Sequence, residues 1–172
     1  LAGRLVLSST YFRNRFRDMI VGETLAAPID GKYYQWQNVA RSSTEGLENA
    51  IEATLTKSIK LRAAYTYLDV RDDSADTRVI YKPRHTADAD LGWAIDPAWT
   101  VGAGVHVVAG RLRTVTTEIE DYTTARLYAS YSVNKNLLLK ARIENALNEK
   151  YEESYGYPAL PFRVFGGVEY KF

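Results

Sequence analysis

Few side chains in this sequence have the types and spacing that chemistry needs. RDDSADTR gathers Asp72, Asp73 and Asp76, and clustered carboxylates are what calcium takes as ligands. The stretch lacks the glycine and glutamate positions of a known calcium loop, so it reads as a solvated acidic loop. His85 and His106 lie on different segments with no carboxylate at ligand spacing, and each reads as structural. Glu144, Glu152 and Glu153 form pairs only in the sense that the chain is rich in carboxylates. No serine sits in a nucleophile elbow, and GAG at 102–104 reads as a strand of small residues, not a phosphate loop. With no cysteine, thiolate nucleophiles and thiolate metal sites are excluded. No catalytic residue, metal or cofactor is expected. What remains is YEESYGYPALP. Its Tyr151, Tyr155 and Tyr157 combine rigid apolar faces with hydroxyls, which suits contact with a large amphipathic ligand. Packing of the loop itself is the alternative use of the same three rings.

The elements that would hold this loop alternate. Segments at 5–16, 33–55, 59–70, 85–95, 100–110, 123–133 and 137–147, with the final FRVFGGVEYKF, switch apolar and polar residues at period two. Short breaks at 56–58, 96–98 and 134–136 take turns with longer loops at 17–32, 71–82, 111–121 and 148–161. That predicts about eight antiparallel strands of 9–11 residues, with short turns at one rim and long loops at the other. ENAIEATLTKSI has helical composition, but its charges do not cluster on one face and β-branched residues follow. No linker or second domain is visible.

Composition agrees with that class. The 172 residues carry 22 Lys and Arg against 21 Asp and Glu, so nothing electrostatic favours nucleic acid. Mean hydropathy is −0.30, and no apolar run reaches the roughly 20 residues a spanning helix requires. A membrane β-barrel hides its apolar residues in alternation and escapes that test. LAGRLVLSST has no basic region followed by a long apolar core, so no signal peptide is expected in it. Thirteen tyrosines and three tryptophans against one methionine suit strands and aqueous–apolar boundaries.

Alternation does not say which face is inside, and a soluble barrel around an apolar ligand also uses eight strands. In 137–147 one face is Leu137, Leu139, Ala141 and Ile143, the other Leu138, Lys140, Arg142 and Glu144. The loop–turn asymmetry and the aromatics near strand ends (Tyr33, Tyr34, Trp36, Tyr67, Tyr81, Trp93, Trp99, Tyr122, Tyr170, Phe172) favour a membrane barrel with aromatic girdles. Asn49 is the exception, a polar residue on the face of Leu47, Ile51 and Leu55. It is expected near the interface or satisfied by an adjacent strand.

Motifs narrow the choice. YFRNRFRDMI resembles a late-barrel strand of TonB-dependent outer-membrane receptors, and WQNVARSSTEGLENAIEATLT resembles their Asn…Gly-aliphatic-Glu strand through Asn38, Gly46, Leu47 and Glu48. LRAAYTYLDVRDD with YKPRHTADADLGWAI is similar to the family's Ala-x-Tyr-Thr-Tyr-Leu-Asp and Pro-x-His-Thr pair. LLLKARIENALNEKYEESYGYPALPFRVFGGVEYKF resembles its ending, down to the terminal Phe. The elements are similar to those of the cobalamin and catecholate-siderophore branches.

The resemblance implies an all-β, antiparallel transmembrane barrel segment, the C-terminal third of a plugged barrel of about 22 strands. The plug, the coupling segment and the signal peptide have no counterpart in these residues and are expected elsewhere. It implies uptake of a ferric siderophore or cobalamin, outer-membrane lipid around the wall, and a TonB-type energy coupler acting through the missing N-terminal region. It also gives the end of the chain a role. Val168, Tyr170 and Phe172 resemble the terminal signal read by the barrel-assembly machinery, by strand-edge pairing. A girdle role for Phe172 is the plainer reading. The alternatives to a receptor wall are an autonomous eight-stranded ligand-binding barrel and a structural anchor.

Overall fold

The computed structural model describes residues 4–29 and 32–172, and for 19–29 and 32–40 the backbone alone. In chain order the strands are β1 (Leu5–Ile29), β2 (Lys32–Thr54), β3 (Ile59–Asp72), β4 (Thr77–Arg78), β5 (His85–Ala94), β6 (Trp99–Ala109), β7 (Arg111–Thr114), β8 (Thr117–Ile119), β9 (Tyr122–Ser132), β10 (Leu137–Glu144), β11 (Glu152–Ser154), β12 (Tyr157–Pro158) and β13 (Arg163–Tyr170). Eight of them pair as one antiparallel meander, β1-β2-β3-β5-β6-β9-β10-β13, with β4 folded onto β3. β7–β8 and β11–β12 are separate small hairpins. Among the described residues β1 and β13 do not pair, so both edges of the sheet are open.

The three short turns share one construction. Thr56 Oγ1 accepts the N–H of Ser58 and Ile59, Asp96 Oδ1 those of Ala98 and Trp99, and Asn134 Oδ1 those of Asn136 and Leu137. A short polar side chain that bonds the backbone two and three residues on folds a turn without tertiary help.

The expected loop at 17–32 is instead strand. β1 runs to Ile29 and β2 starts at Lys32, with Ile20 opposite Asn38 and Thr24 opposite Tyr34. The register shifts between Phe16 and Met19, around Asp18 at φ 57°. Alternation fades in this stretch of sequence, which reads as loop, yet the backbone pairs through it. β1, β2 and β3 therefore have 25, 23 and 14 residues, beyond the 9–11 expected. Asp30 and Gly31 lie outside the described residues, as do the side chains of Tyr33, Tyr34, Trp36 and Asn38. At the other end, β10 stops at Glu144 because Asn145 turns into the left-handed region at φ 48°.

Register puts like with like. Ala53, Leu61, Leu91, Ala103, Leu127 and Ile143 form one unbroken cross-strand row. On the opposite face Glu52, Arg62, Asp90, Gly104 and Arg126 form another. The apolar row is exposed, with Leu91 at 44% and Leu127 at 46%. Trp93, Trp99, Tyr131 and Tyr170 border it at the short-turn end, where Trp99 stacks on Tyr131 at 4.6 Å. Tyr65, Tyr67 and His85 border the loop end, with Tyr65 Oη and His85 Nδ1 2.8 Å apart. Asn49 sits on this border between Ser9 and Tyr65. Two aromatic borders around an apolar band are the exterior of a membrane barrel.

The charged face is tied together. Asp90 accepts from Arg126 and from the Tyr128 hydroxyl, each at 2.8 Å, Arg62 meets Glu52 at 3.7 Å, and Lys140 meets Glu169 at 2.6 Å. Gly102 leaves the space over which the Tyr128 ring lies, since a Cβ there would overlap the ring.

Candidate functional site

A one-layer sheet has almost no interior, and apart from Gly46 and Gly104 the described residues that are buried gather at the loop end. Val108, Leu112 and Tyr122 are the buried apolar side chains, beside Arg111 and Asn145. Tyr122 thus points to the charged face, opposite Val108, and is not the girdle residue its place at a strand end suggested. Gly110, at φ 71°, folds the chain from β6 back over this cluster. Its N–H donates to Asp121 Oδ1 and its carbonyl accepts from Arg78, both at 2.8 Å.

Arg111 is 3% exposed and joins two loops. Nη1 donates to the carbonyls of Glu152 at 2.7 Å and Glu153 at 3.2 Å, and Nη2 to that of Glu120 at 2.7 Å. Its guanidinium also lies 4.8 Å over the Tyr122 ring. A buried guanidinium must be bonded throughout or it destabilises its surroundings. Here backbone carbonyls bond Nη1 and Nη2 and a ring face covers the group, while the buried Nε has no hydrogen-bond partner.

Two asparagines hold the base of the second loop. Asn145 Nδ2 donates to the carbonyls of Glu149 and Leu160, and its Oδ1 accepts the Glu149 N–H. Asn148, also left-handed at φ 52°, accepts the Phe162 N–H. Asparagine tolerates this backbone region and can bond its neighbours from it.

On that base the predicted tyrosines divide. Tyr151 stacks on Tyr122 at 3.9 Å, and Tyr155 lies beneath the Arg113 guanidinium at 3.1 Å. Both line a cavity of about 680 Å³ between β7–β8 and β11–β12, with Glu118, Glu120, Glu149 and Pro158. Its size is that of a small-molecule site. Tyr157, 75% exposed, faces a second hollow of about 580 Å³ that Tyr151 also borders. Burial, and then the negative charge of Glu153, push the Tyr151 phenol above its ordinary pKa, so it stays a neutral donor. Tyr151 therefore serves packing and cavity together.

The match to known proteins covers most of the chain. Residues 1–146 fit the family described as TonB dependent receptor-like, beta-barrel. The chain belongs to that family. Its members are outer-membrane β-barrel proteins. The ferric enterobactin receptor of Pseudomonas aeruginosa is 26% identical over 170 residues, covering 85% of this chain and 22% of the receptor. The ferrioxamine B receptor of Salmonella typhimurium is 25% identical over 159 residues, 80% of this chain and 22% of that protein. The solved siderophore receptor PiuA from Acinetobacter baumannii superposes with a TM-score of 0.73 at 24% identity, over 98% of this chain and 26% of its own. The chain thus spans about a fifth of the length of the curated relatives it matches.

Elsewhere in the receptor barrel the other candidate groups are engaged. Asp72 Oδ1 accepts the N–H of Ser74 and Ala75, Asp73 accepts from the Ser43 hydroxyl at 2.6 Å, and Asp76 approaches Arg71 at 3.8 Å. These are the bonds of an acidic loop tied to itself and to β2 and β3. His106 does have a carboxylate neighbour, Asp88 at 2.9 Å, brought across from β5 by register and invisible to spacing along the chain. Glu144 meets Arg142 at 3.3 Å, and Glu152 accepts the Gly156 N–H. At the end of the chain, Asn136 Nδ2 and the Lys171 carbonyl are 2.6 Å apart. Tyr170 and Phe172 meet edge to face at 5.1 Å, on the open-edge strand. Arg111 and Asn145, which organise the site, were missed. Asn145 had a signal in the ENALN motif, whereas an arginine after a glycine carries none.

Proposed function

We propose that this chain is the C-terminal part of the barrel wall of an outer-membrane receptor that takes up ferric siderophores with energy from a TonB-type coupler. The long loops face outward, and Tyr151, Tyr155 and Tyr157 form one side of the ligand-contact surface. The observation that carries the reading is the joining of a two-faced family barrel wall to an arginine-organised, tyrosine-lined cavity at its loop end. The relatives named above support the ferric-chelate half of the expectation, and cobalamin rests on the motif resemblance alone. The open edges at β1 and β13 favour a larger barrel over an autonomous eight-stranded one, which would pair those strands. In this reading the coupler and the plug act through parts of the receptor outside these residues. Val168 and Tyr170 on the edge strand and Phe172 just beyond it, all exposed, are offered to the barrel-assembly machinery.

The test is uptake of radioactive iron as its siderophore complexes by receptor-deleted cells expressing the full-length receptor. Energy-dependent accumulation that falls when residues 150–160 are replaced by a short glycine–serine linker supports the reading. Accumulation unaffected by that replacement removes the loop from ligand contact. No accumulation with any ferric siderophore, from correctly inserted barrel, refutes the function.

A further inference from the structure

The cavity beside Tyr151 and Tyr155 has a charge that its aromatic lining conceals. Its walls carry five carboxylates, Glu118, Glu120, Asp121, Glu149 and Glu152, against the two cations Arg113 and Lys150. None of the seven is in an ion pair among the described residues. Asp121 and Glu152 accept backbone N–H bonds from Gly110 and Gly156. Arg113 is turned onto the face of Tyr155. Arg111 beneath the cavity adds one positive charge, buried and bonded to carbonyls, and the balance stays negative. A concave site with a net charge focuses that potential on whatever enters it.

We infer that this side of the receptor selects ferric chelates by charge, admitting cationic and neutral complexes such as ferric tris-hydroxamates bearing an ammonium group and disfavouring trianionic tris-catecholates. The inference rests on the proposed siderophore function and adds the ligand class. Tyr151 and Tyr155 give apolar faces to the chelate's methylene chains, and an ammonium group finds acceptors in Glu118, Glu120 and Glu149 without displacing an existing ion pair. A trianion would meet uncompensated carboxylates instead, a repulsive element of the kind specificity needs.

The experiment measures dissociation constants by fluorescence quenching on purified full-length receptor, at low and at 0.15 M salt. Three probes are used: a ferric tris-hydroxamate with one free ammonium, the same complex with that amine acetylated, and a ferric tris-catecholate. A carboxylate about 8 Å from a unit charge in water changes affinity about twofold, so removing two changes it about fivefold at low salt. The expected order is cation, then neutral complex, then trianion. The Glu118→Gln/Glu120→Gln double variant is expected to weaken the cation about fivefold, leave the acetylated complex unchanged and strengthen the trianion. Added salt is expected to shrink the cation's advantage. The wild-type comparison of free and acetylated amine needs no variant to fold. Binding of all three with no dependence on charge, or tightest binding of the trianion, overturns the inference and leaves the siderophore function standing. Failure of every probe to bind folded, heat-modifiable receptor overturns both.

Discussion

Replacing Arg111 by methionine keeps most of its stem and removes its three hydrogen bonds to the carbonyls of Glu120, Glu152 and Glu153. Hydrogen bonds to a charged group contribute about 1.5–3 kcal/mol each. Only two of the three are short, and Glu120 and Glu153 are exposed residues whose carbonyls water reaches once the loops part. The expected loss is therefore about 2–4 kcal/mol in the docking of β11–β12 onto β7–β8, which raises the open population by roughly 30-fold to about 1,000-fold. The loss is local, because the eight-stranded ladder makes its own backbone bonds without Arg111. Hydrogen exchange on the full-length receptor reads both levels at once. Amides at 149–161 should exchange faster by that factor while those of β6, β9 and β10 keep their protection, and the folded band on an unheated gel should not shift. Arg111→Lys, which keeps the charge but not the fork that reaches three carbonyls, should fall between. Unchanged protection at 149–161 in Arg111→Met would show that the two loops are held by something else. Loss of protection throughout the sheet would show that the loop end is no independent unit.

Three further outcomes follow from the same geometry. Gly102→Ala should cost about 1–3 kcal/mol in urea unfolding because its Cβ meets the Tyr128 ring, whereas Gly166→Ala, with nothing within 4 Å, should cost less than about 1 kcal/mol; equal costs would discard the ring-over-glycine account. The Tyr151 phenol is raised by burial and by Glu153, so its contribution to loop docking is complete below the ordinary tyrosine value near 10 and lost as pH rises through the raised one; exchange at 149–161 should accelerate there, and an identical acceleration in Tyr151→Phe would contradict this. Deleting Phe172, fully exposed on the edge side of the sheet, should reduce the yield of assembled receptor in the outer membrane while detergent-refolded protein melts nearly as before; a proportional fall in both marks it as a girdle residue only.

What could be read from the sequence was whatever the chain determines locally. Period-two alternation marked the eight paired strands, because each side chain's face depends only on its position in the pleat. Thr56, Asp96 and Asn134 marked the short turns, because each bonds backbone two and three residues on. Where the surroundings change, the pattern misleads. Residues 17–29 lie in strand although their sequence shows no period-two alternation. The cross-strand partners Asp88 and His106, 18 positions apart, needed the register before they could be paired. Tyr122 was assigned to the girdle from its place at a strand end, but its face sends it inward beneath Tyr151. The tyrosines of the last loop were visible as a type of residue. That Tyr151 and Tyr155 share a cavity while Tyr157 turns away depends on Arg111, which lies 40 positions before Tyr151.

The short turns and the long loops differ in what they need, and that difference places function at one rim. Each short turn closes with a side chain of its own and survives alone. The loops at 111–121 and 148–161 lean on each other: Arg111 of the first donates to two carbonyls of the second, and Tyr151 of the second is packed on Tyr122 at the end of the first. Each loop has its own hairpin, but the entropy of holding the two together is offset by one shared cluster of buried residues. Such a unit can open as a whole while the ladder below stays paired. A ligand held between the two loops would bind only the docked form and stabilise it in proportion to its concentration. Contact with either loop would then be felt by the other, through Arg111 and the Tyr122–Tyr151 stack, with no rearrangement of the wall.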